Sequence, residues 1–146
     1  MQPEPDSRPA IAAAVIVHGD RFLLVQRAVS EGTLSWQFPA GAVEPGESPE
    51  DAAVRETGEE AGLTVVARAS LGERVHPATG RTMFYFACDV IEGEAHAADP
   101  EEIAAVRWCR LDEIEDYVPY GFFEPVQKHL DGMLSTSVSG SRGETR

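Results

Sequence analysis

Apolar residues are concentrated in five short stretches whose β-branched and aromatic content predicts β-strands. Only the polar triplet His18-Gly19-Asp20 separates the first two stretches, so they are expected to form a hairpin. The predicted strands cover residues 10–17, 21–26, 64–75, 81–93 and 105–111.

A helix is predicted between the second and third strands, over Pro49–Ala61. Ser48 is a favoured N-cap residue, proline suits the first helical position, and Gly62 supplies a stop. Small and apolar side chains at helical spacing predict the face that packs on a sheet. This face comprises Ala53, Val54, Thr57, Gly58 and Ala61.

Helical patterns return near the C-terminal end, over residues 111–117 and 121–133. Because strands come both before and after the Pro49–Ala61 helix, the order of elements favours an α+β fold, with a mixed β-sheet packed between helices. The buried side of the last helix is predicted to carry Phe122, Phe123, Val126, Leu130 and Met133.

The length of the chain is that of one ordinary domain. Its 146 residues, of which 42% are hydrophobic, suffice for a substantial core. We expect this domain to cover residues 10–133. The Pro-rich residues 1–9 and the Ser- and Gly-rich residues 134–146 are predicted to form disordered tails.

Charge and composition narrow the classes of function. The formal net charge of -13 argues against a nucleic-acid-binding surface, because phosphate backbones are bound by clusters of Lys and Arg. No stretch approaches the roughly 18 apolar residues of a membrane helix, so a cytoplasmic protein without a membrane partner is predicted. Cys88 and Cys109 lie in apolar stretches without CxxC spacing and are predicted to be buried free thiols.

The predicted helix concentrates negative charge on one face. Glu56, Glu59 and Glu60 share an arc of about 100°. A solvated surface would tolerate this, since like charges at this spacing cost only about 0.2–0.5 kcal/mol per pair. The preceding loop favours a metal site instead, because Gly41 permits close backbone approach and Glu47 arrives just before the helix. An all-oxygen site suits Mg²⁺ first and Mn²⁺ second.

The segment from Gly41 to Leu63 resembles the signature of the Nudix hydrolases, the MutT-like family: G-x5-E-x7-R-E-U-x-E-E-x-G-U, where U is a bulky aliphatic residue. One position departs from the pattern, because Thr57 replaces the first aliphatic residue. WQFPAG before the signature and RWCRLDEI after it are also similar to the family, so the resemblance covers most of the predicted domain. The fixed positions are filled by Gly41, Glu47, Arg55, Glu56, Glu59, Glu60, Gly62 and Leu63.

The resemblance implies an α/β/α sandwich, the Nudix fold, which uses Mg²⁺ to hydrolyse nucleoside diphosphates linked to another moiety. By position, it implies that Glu56 and Glu60 are metal ligands. Glu59 would be a further ligand or the base that activates water. A backbone carbonyl, at Ala40 or Gly41, would complete the coordination.

The same resemblance implies supporting roles for other charged residues. Arg55 would orient the carboxylates, and Glu47 would pair with it or bind the metal through water. A later loop often supplies a further carboxylate as ligand or base; Glu101 and Glu102 are available, and we favour Glu102. Arg27, at the end of the second strand, is equally consistent with a phosphate contact and with an ordinary surface residue.

The expected substrate is a small-molecule nucleotide, bound by a monomer or a homodimer. Phe84 is the candidate for stacking on a base, although alternation along its strand favours core packing for most aromatics there. We favour attack of water on a nucleoside triphosphate to give monophosphate and pyrophosphate. ADP-ribose or another nucleoside-diphosphate sugar is the alternative, since a proline such as Pro77, fifteen residues after Gly62, accompanies that activity in part of the family.

Two non-enzymatic interpretations stay open. One is a Nudix-like domain that senses a nucleotide without catalysis, and the other is an acidic interaction module whose charged helix faces a basic partner. The sequence contains no P-loop, EF-hand or GxSxG motif, which removes several competing enzyme classes.

Overall fold

The computed structural model describes residues 8–28, 34–77 and 79–135. Within these residues the chain forms a mixed β-sheet of seven strands with helices on both sides. The strands are β1 (Ile11–His18), β2 (Arg21–Ala28), β3 (Leu34–Gln37), β4 (Ala40–Ala42), β5 (Thr64–Val75), β6 (Thr82–Glu92) and β7 (Ile103–Cys109). The helices are α1 (Pro49–Ala61), α2 (Ile114–Tyr117) and α3 (Glu124–Leu130), with a 3-10 turn at Leu111–Glu113 and a π-helical turn at Asp131–Ser135.

Strand β1 is the centre of the sheet, whose main order is β3-β2-β1-β6-β5. It pairs in parallel with β6 and in antiparallel fashion with β2, where Val17 faces Phe22 across the predicted hairpin. The opposite end of β1 pairs with β4, where Ala12 faces Gly41. Strand β2 also pairs with β7 along most of its length. One sheet therefore brings β2, β4 and the start of β1 close together.

Alternation along β1 and β6 produces a core on each side of the sheet. Phe86 contributes to the core beneath α1, whereas Tyr85 contributes to the core beneath α3. Helix α1 adds Ala52, Ala53 and Ala61 to the first core, and α3 and its following turn add Val126, Leu130 and Leu134 to the second. The predicted mixed sheet between helices, an α/β/α sandwich, is confirmed.

The sequence pattern missed two strands, β3 and β4, on either side of Phe38-Pro39. They contain four and three residues, too few for an alternation to stand out, and proline interrupts them. Pairing to the start of β1 holds β4 in place. This pairing fixes the chain just before the loop that leads into α1.

The predicted bounds of α1 are confirmed, and so are its signals. The Ser48 hydroxyl accepts a hydrogen bond from the Asp51 backbone N–H at 3.1 Å, and Gly62 ends the helix in the left-handed region at φ 72°. The predicted buried face is partly wrong, because Gly58 is exposed whereas Ala52 and Glu60 are buried. The helix is thus rotated toward its acidic side.

Thr57 occupies the position where the family pattern has an aliphatic residue, and it is fully buried. Its hydroxyl donates a hydrogen bond of 2.8 Å to the Ala53 carbonyl one turn earlier. Because this bond satisfies the polar atom within the helix, the methyl group packs in the core without a desolvation penalty for the hydroxyl.

The predicted buried side of the last helix is wrong at Met133, which is 48% exposed. Leu134 is buried in place of Met133. The reason is that α3 continues into a π-helical turn, whose larger number of residues per turn shifts the buried face by one residue. The folded region therefore continues to at least residue 135. Residues 1–7 and 136–146, which hold most of the predicted tails, lie outside the described residues, so the domain limits stay predictions.

Both cysteines are buried and free, as predicted. Burial raises the pKa of Cys88 to about 12 and that of Cys109 to about 11, so neither thiol is a thiolate near neutral pH. In the described part of the chain, the helices are all too short or too polar to cross a membrane.

Candidate functional site

Three carboxylates of α1, those of Glu56, Glu59 and Glu60, are divided between two arginines. Glu56 and Glu60 lie one turn apart on the side of the helix that faces β2 and β4. Glu56, Glu59 and the loop residue Glu47 contact Arg55, and we call these four residues the outer cluster. Glu60 contacts a different arginine from another part of the chain.

Arg55 is held by several short contacts in the outer cluster. Its Nε and Nη2 donate to the two carboxylate oxygens of Glu47 at 2.8 and 2.9 Å, and Nη2 also donates to the Ala42 carbonyl at 3.0 Å. Its Nη1 donates to Glu56 at 3.1 Å and lies 3.4 Å from both oxygens of Glu59. This paired geometry, mainly the hydrogen bond from Arg55, lowers the pKa of Glu47 to about 2.

The second group, which we call the inner cluster, consists of Arg27, Glu60, Glu102 and the backbone of Ala40. Arg27 Nη2 donates to Glu60 at 3.2 Å and to Glu102 at 2.7 Å, and Nη1 donates to the Ala40 carbonyl at 3.4 Å. The Ala40 N–H donates to the other oxygen of Glu60 at 3.2 Å. Strands β2 and β4, helix α1 and the loop before β7 each supply one member.

Glu60 is an unusual residue because it is only 2% exposed. Burial raises its pKa to about 7, and the charge of Arg27 and the Ala40 N–H oppose that shift only in part. Burial also raises the pKa of Glu56, while Arg55 lowers it. A buried carboxylate whose pKa stays raised although both of its oxygens are hydrogen-bonded is typical of a functional site.

Gly41 allows Glu56 to approach the backbone of β4. A Cβ atom at this position would lie 2.1 Å from the Glu56 carboxyl carbon, so any other residue would push that side chain away. Gly41, whose carbonyl is one of the two candidate metal ligands, is therefore in contact with Glu56, a predicted carboxylate ligand. The neighbouring Ala40 carbonyl, which faces Arg27, is the better placed of the two candidate carbonyl ligands.

The donor atoms around α1 fit a hard divalent cation. Glu56, Glu60 and the Ala40 carbonyl provide oxygen atoms only, and Mg²⁺ and Mn²⁺ prefer such ligands. Across residues 8–28, 34–77 and 79–135, no three Asp, Glu, His or Cys side chains are already grouped as the ligands of one ion. The guanidinium groups of Arg27 and Arg55 lie among these carboxylates instead.

Glu102 reaches the site because the loop before β7 crosses the end of α1. The backbone N–H groups of His96 and Ala98 donate to the carbonyls of Ala61 and Glu60, at 3.0 and 3.1 Å. The His96 ring also covers Gly62, where a Cβ would lie 2.1 Å from its Cε1. The sequence carries no signal for this positioning role of His96.

The remaining predicted residues lie outside these contacts or at their edge. Glu59 is 56% exposed and its Arg55 contact is long, so its carboxylate faces solvent. Phe84 packs partly buried against the core beneath α1, and Ala12 separates it from Gly41 across the sheet. Glu101 is exposed.

Comparisons with known proteins agree with this architecture. A model of the NUDIX domain matches residues 7–128. The chain is 29% identical over 135 residues to a MutT-like protein of Streptomyces ambofaciens, covering 90% of this chain and 85% of that protein. It is 32% identical over 108 residues to a CTP pyrophosphohydrolase of Escherichia coli, covering 73% of this chain and 79% of that protein.

A solved structure shares the fold. A NUDIX hydrolase from Nitrosomonas europaea superposes with a TM-score of 0.71 and 25% identity, covering 90% of this chain and 91% of that one. The match to a Caenorhabditis elegans relative, 32% identical over 109 residues, spans 30% of that protein's length.

Proposed function

The chain belongs to the Nudix family, and we propose that it is a Mg²⁺-dependent enzyme that converts a nucleoside triphosphate and water to a nucleoside monophosphate and pyrophosphate. The observation that carries this proposal is Glu60, a buried carboxylate that accepts a hydrogen bond from the Ala40 N–H and lies one helical turn from Glu56. Such a site is unfavourable for a protein that needs only a solvated acidic surface. The Escherichia coli relative named CTP pyrophosphohydrolase supports a triphosphate substrate.

The negative oxygens of a phosphoanhydride repel a nucleophile, and a bound Mg²⁺ ion would supply the positive charge that neutralises them. Glu56, Glu60 and the Ala40 carbonyl would hold this ion, and Glu59 would be a further ligand only if another carboxylate takes the proton from water. Gly41 keeps Glu56 close to β4. These ligands come from a capped helix and a paired strand, so little rearrangement is needed during the reaction.

We assign the proton transfer to Glu59, whose carboxylate faces solvent. The oxygen of the attacking water forms a bond to a phosphorus of the phosphoanhydride, its proton passes to Glu59, and the bond from that phosphorus to the bridging oxygen breaks, which gives monophosphate and pyrophosphate. Glu102 is the second candidate for the base, although its carboxylate accepts a 2.7 Å hydrogen bond from Arg27. Arg55 is a positioning residue, because its guanidinium contacts both Glu56 and Glu59 and holds them in place.

Two further residues are proposed to contact substrate. Arg27 lies beside the inner carboxylates at the end of β2, where a guanidinium would pair well with a phosphate. Phe84 would stack on the base from the sheet face beneath α1.

Turnover of a panel of nucleotides tests the proposal. Nucleoside triphosphates, triphosphates with oxidised bases, ADP-ribose and dinucleoside polyphosphates would be incubated with Mg²⁺, and products separated by anion exchange. We expect nucleoside monophosphate and pyrophosphate from at least one triphosphate, with turnover reduced about 100-fold or more in Glu60→Gln.

Glu73→Gln is the matched control, because Glu73 is exposed on the edge strand β5 and the change removes the same charge. Its turnover should stay within about twofold of the unsubstituted chain. ADP-ribose cleavage without triphosphate cleavage would transfer the assignment to the alternative substrate class. Absence of Mg²⁺-dependent turnover with every compound would favour a nucleotide sensor or an acidic interaction module.

A further inference from the structure

Arg27 occupies the position that the proposed ion needs. Its guanidinium contacts the Ala40 carbonyl and the buried oxygen of Glu60, and these two groups are proposed ligands of the ion. It also contacts Glu102, the candidate carboxylate from the later loop. One arginine side chain therefore contacts two of the three groups proposed to hold the ion, while the third, Glu56, contacts Arg55.

Charge balance explains why an arginine lies here. Glu60 is almost fully buried, and a buried carboxylate needs a counter-charge to remain ionised. Arg27 supplies that charge in the chain without metal. A dication between the same oxygens would lie beside the Arg27 guanidinium, and the two positive charges would repel each other at short distance.

The contacts that Arg27 makes with Glu60 and Ala40 are longer than those of Arg55 with Glu47, so a metal ion can replace them more easily. Arg55 makes a two-pronged pair with Glu47 at 2.8 and 2.9 Å, whereas Arg27 makes single contacts of 3.2 and 3.4 Å to Glu60 and Ala40. Its one short contact, of 2.7 Å, is to Glu102, whose side chain is 59% exposed. A two-pronged carboxylate pair is stronger and more restrictive than single contacts.

We propose that Arg27 is the resident counter-cation of the inner cluster, which a divalent ion must displace in order to bind. The inference rests on the proposed function, because it requires that Glu60 and the Ala40 carbonyl are ligands of the ion. It adds that metal binding is a competition within the chain, and that Arg27 is released toward substrate phosphates only when metal arrives.

Mn²⁺ binding without nucleotide tests the competition. Free Mn²⁺ would be measured by electron paramagnetic resonance in titrations of the full chain at pH 8, for the unsubstituted chain, Arg27→Met and Arg27→Lys. We expect Arg27→Met to bind Mn²⁺ about tenfold more tightly than the unsubstituted chain. Arg27→Lys, which keeps the charge, should stay closer to the unsubstituted chain.

Arg68→Met is the control for the general effect of removing a positive charge from an acidic protein. Arg68 forms an exposed pair with Asp89 at 2.7 Å on β5 and β6, so its removal changes net charge equally. Its effect on Mn²⁺ affinity should be at most about twofold. Equal or weaker Mn²⁺ binding by Arg27→Met than by Arg68→Met would overturn the inference, even if turnover requires metal. Absence of saturable Mn²⁺ binding to both the unsubstituted chain and Arg27→Met would overturn the inference and, with it, the proposed metal site.

Nuclear magnetic resonance of the unsubstituted chain avoids any effect of substitution on folding. Nitrogen signals of the arginine guanidinium groups would be followed during titration with Mg²⁺, and Arg27 assigned from its loss in Arg27→Lys. We expect the separate Nη1 and Nη2 signals of Arg27 to merge as rotation is freed, while those of Arg55 stay separate. Unchanged Arg27 signals at saturating Mg²⁺ would contradict displacement.

Discussion

The outer and inner clusters both join an arginine to carboxylates of α1, but the chain builds them differently. The outer cluster and its contact to Ala42 draw on residues 42–59, one continuous segment made of the end of β4, a loop and α1. The inner cluster joins Arg27 to Glu102, 75 residues away, and also needs the backbone of β4. The outer cluster is formed by residues close together in the sequence, whereas the inner cluster forms only when the whole sheet is folded.

The two clusters also differ in what they do to their carboxylates. Arg55 lowers the pKa of Glu47 to about 2, so that pair is satisfied without any ligand. In the inner cluster, burial dominates and the pKa of Glu60 rises to about 7 despite Arg27. The comparison indicates that Arg55 holds its carboxylates in place, whereas the inner cluster keeps a carboxylate in an environment that is unfavourable for stability, as functional sites often do.

The largest expected effect comes from removing the Arg55 guanidinium from the outer cluster. Arg55→Gln should reduce kcat about 100-fold or more, because Glu56 and Glu59 lose their common partner and like charges push them apart. Arg55→Lys should recover little of this, since an ammonium cannot reproduce the two-pronged contact with Glu47. Steady-state kinetics at saturating Mg²⁺ and nucleotide provides the measurement. A kcat of Arg55→Gln within twofold of that of Arg68→Gln would show that the contacts of Arg55 are not needed for catalysis.

The second prediction concerns the free energy of unfolding in EDTA, which should depend on pH in opposite ways for Glu60 and Glu47. Folding raises the pKa of Glu60 from 4.5 to about 7, so the folded chain holds this proton more tightly. Its contribution is fully present below about pH 4.5 and is lost as pH rises through about 7, on the order of 2–3 kcal/mol. Glu47 has the opposite sign, because its lowered pKa stabilises the fold above about pH 4.5 and this contribution is lost as pH falls toward 2.

Urea denaturation between pH 4.5 and 8 measures the contribution of Glu60. The free energy of unfolding of Glu60→Gln should decline less with rising pH than that of the unsubstituted chain, whereas Glu73→Gln should follow the unsubstituted chain. Parallel curves for Glu60→Gln and the unsubstituted chain would mean that Glu60 titrates normally and that the inner cluster is not strained.

The contact between β4 and Glu56 should give an intermediate effect. Gly41→Ala places a methyl group where the Glu56 carboxylate lies, so we expect about a tenfold loss of kcat/KM, roughly 1.4 kcal/mol, with a weaker affinity for Mg²⁺. Gly132→Ala is the control, because a Cβ there meets nothing within 4 Å. If both variants retain the same kcat/KM and Mg²⁺ dependence, the close approach at Gly41 has no role in ligand placement.

The smallest effect concerns the exposed side of α1, away from both clusters. Gly58→Ala should raise the free energy of unfolding by about 0.5–1 kcal/mol, because alanine is the better helix former and a Cβ there makes only an ordinary 3.7 Å contact. Thermal unfolding monitored by circular dichroism measures the change, and kcat should be unaltered. A lower melting temperature would mean that this face is packed rather than solvated.

Local signals explain what the sequence could predict. Ser48, Pro49 and Gly62 define α1 through capping and backbone preference, which depend only on adjacent residues. The bounds of α1 were predicted from these signals. The pairing of Glu47 with Arg55, which the structure shows, was one of the two roles that the family resemblance implied for Glu47.

Contacts between distant parts of the chain explain what it could not predict. The burial of Glu60 depends on where β4 pairs with β1, and β4 was too short to recognise. The preference for Glu102 came from family resemblance alone, and the structure adds the reason, namely the loop held by His96 across the end of α1. Such contacts leave no periodic pattern in the sequence.

An anomalous difference map from a crystal soaked in Mn²⁺ would test the central claim most directly, because it locates the ion without reference to activity. We expect a peak bounded by Glu56, Glu60 and the Ala40 carbonyl, with the Arg27 guanidinium moved out of its 3.2 Å contact with Glu60. Lack of a peak there at saturating Mn²⁺, with Arg27 still bound to Glu60, would contradict the account.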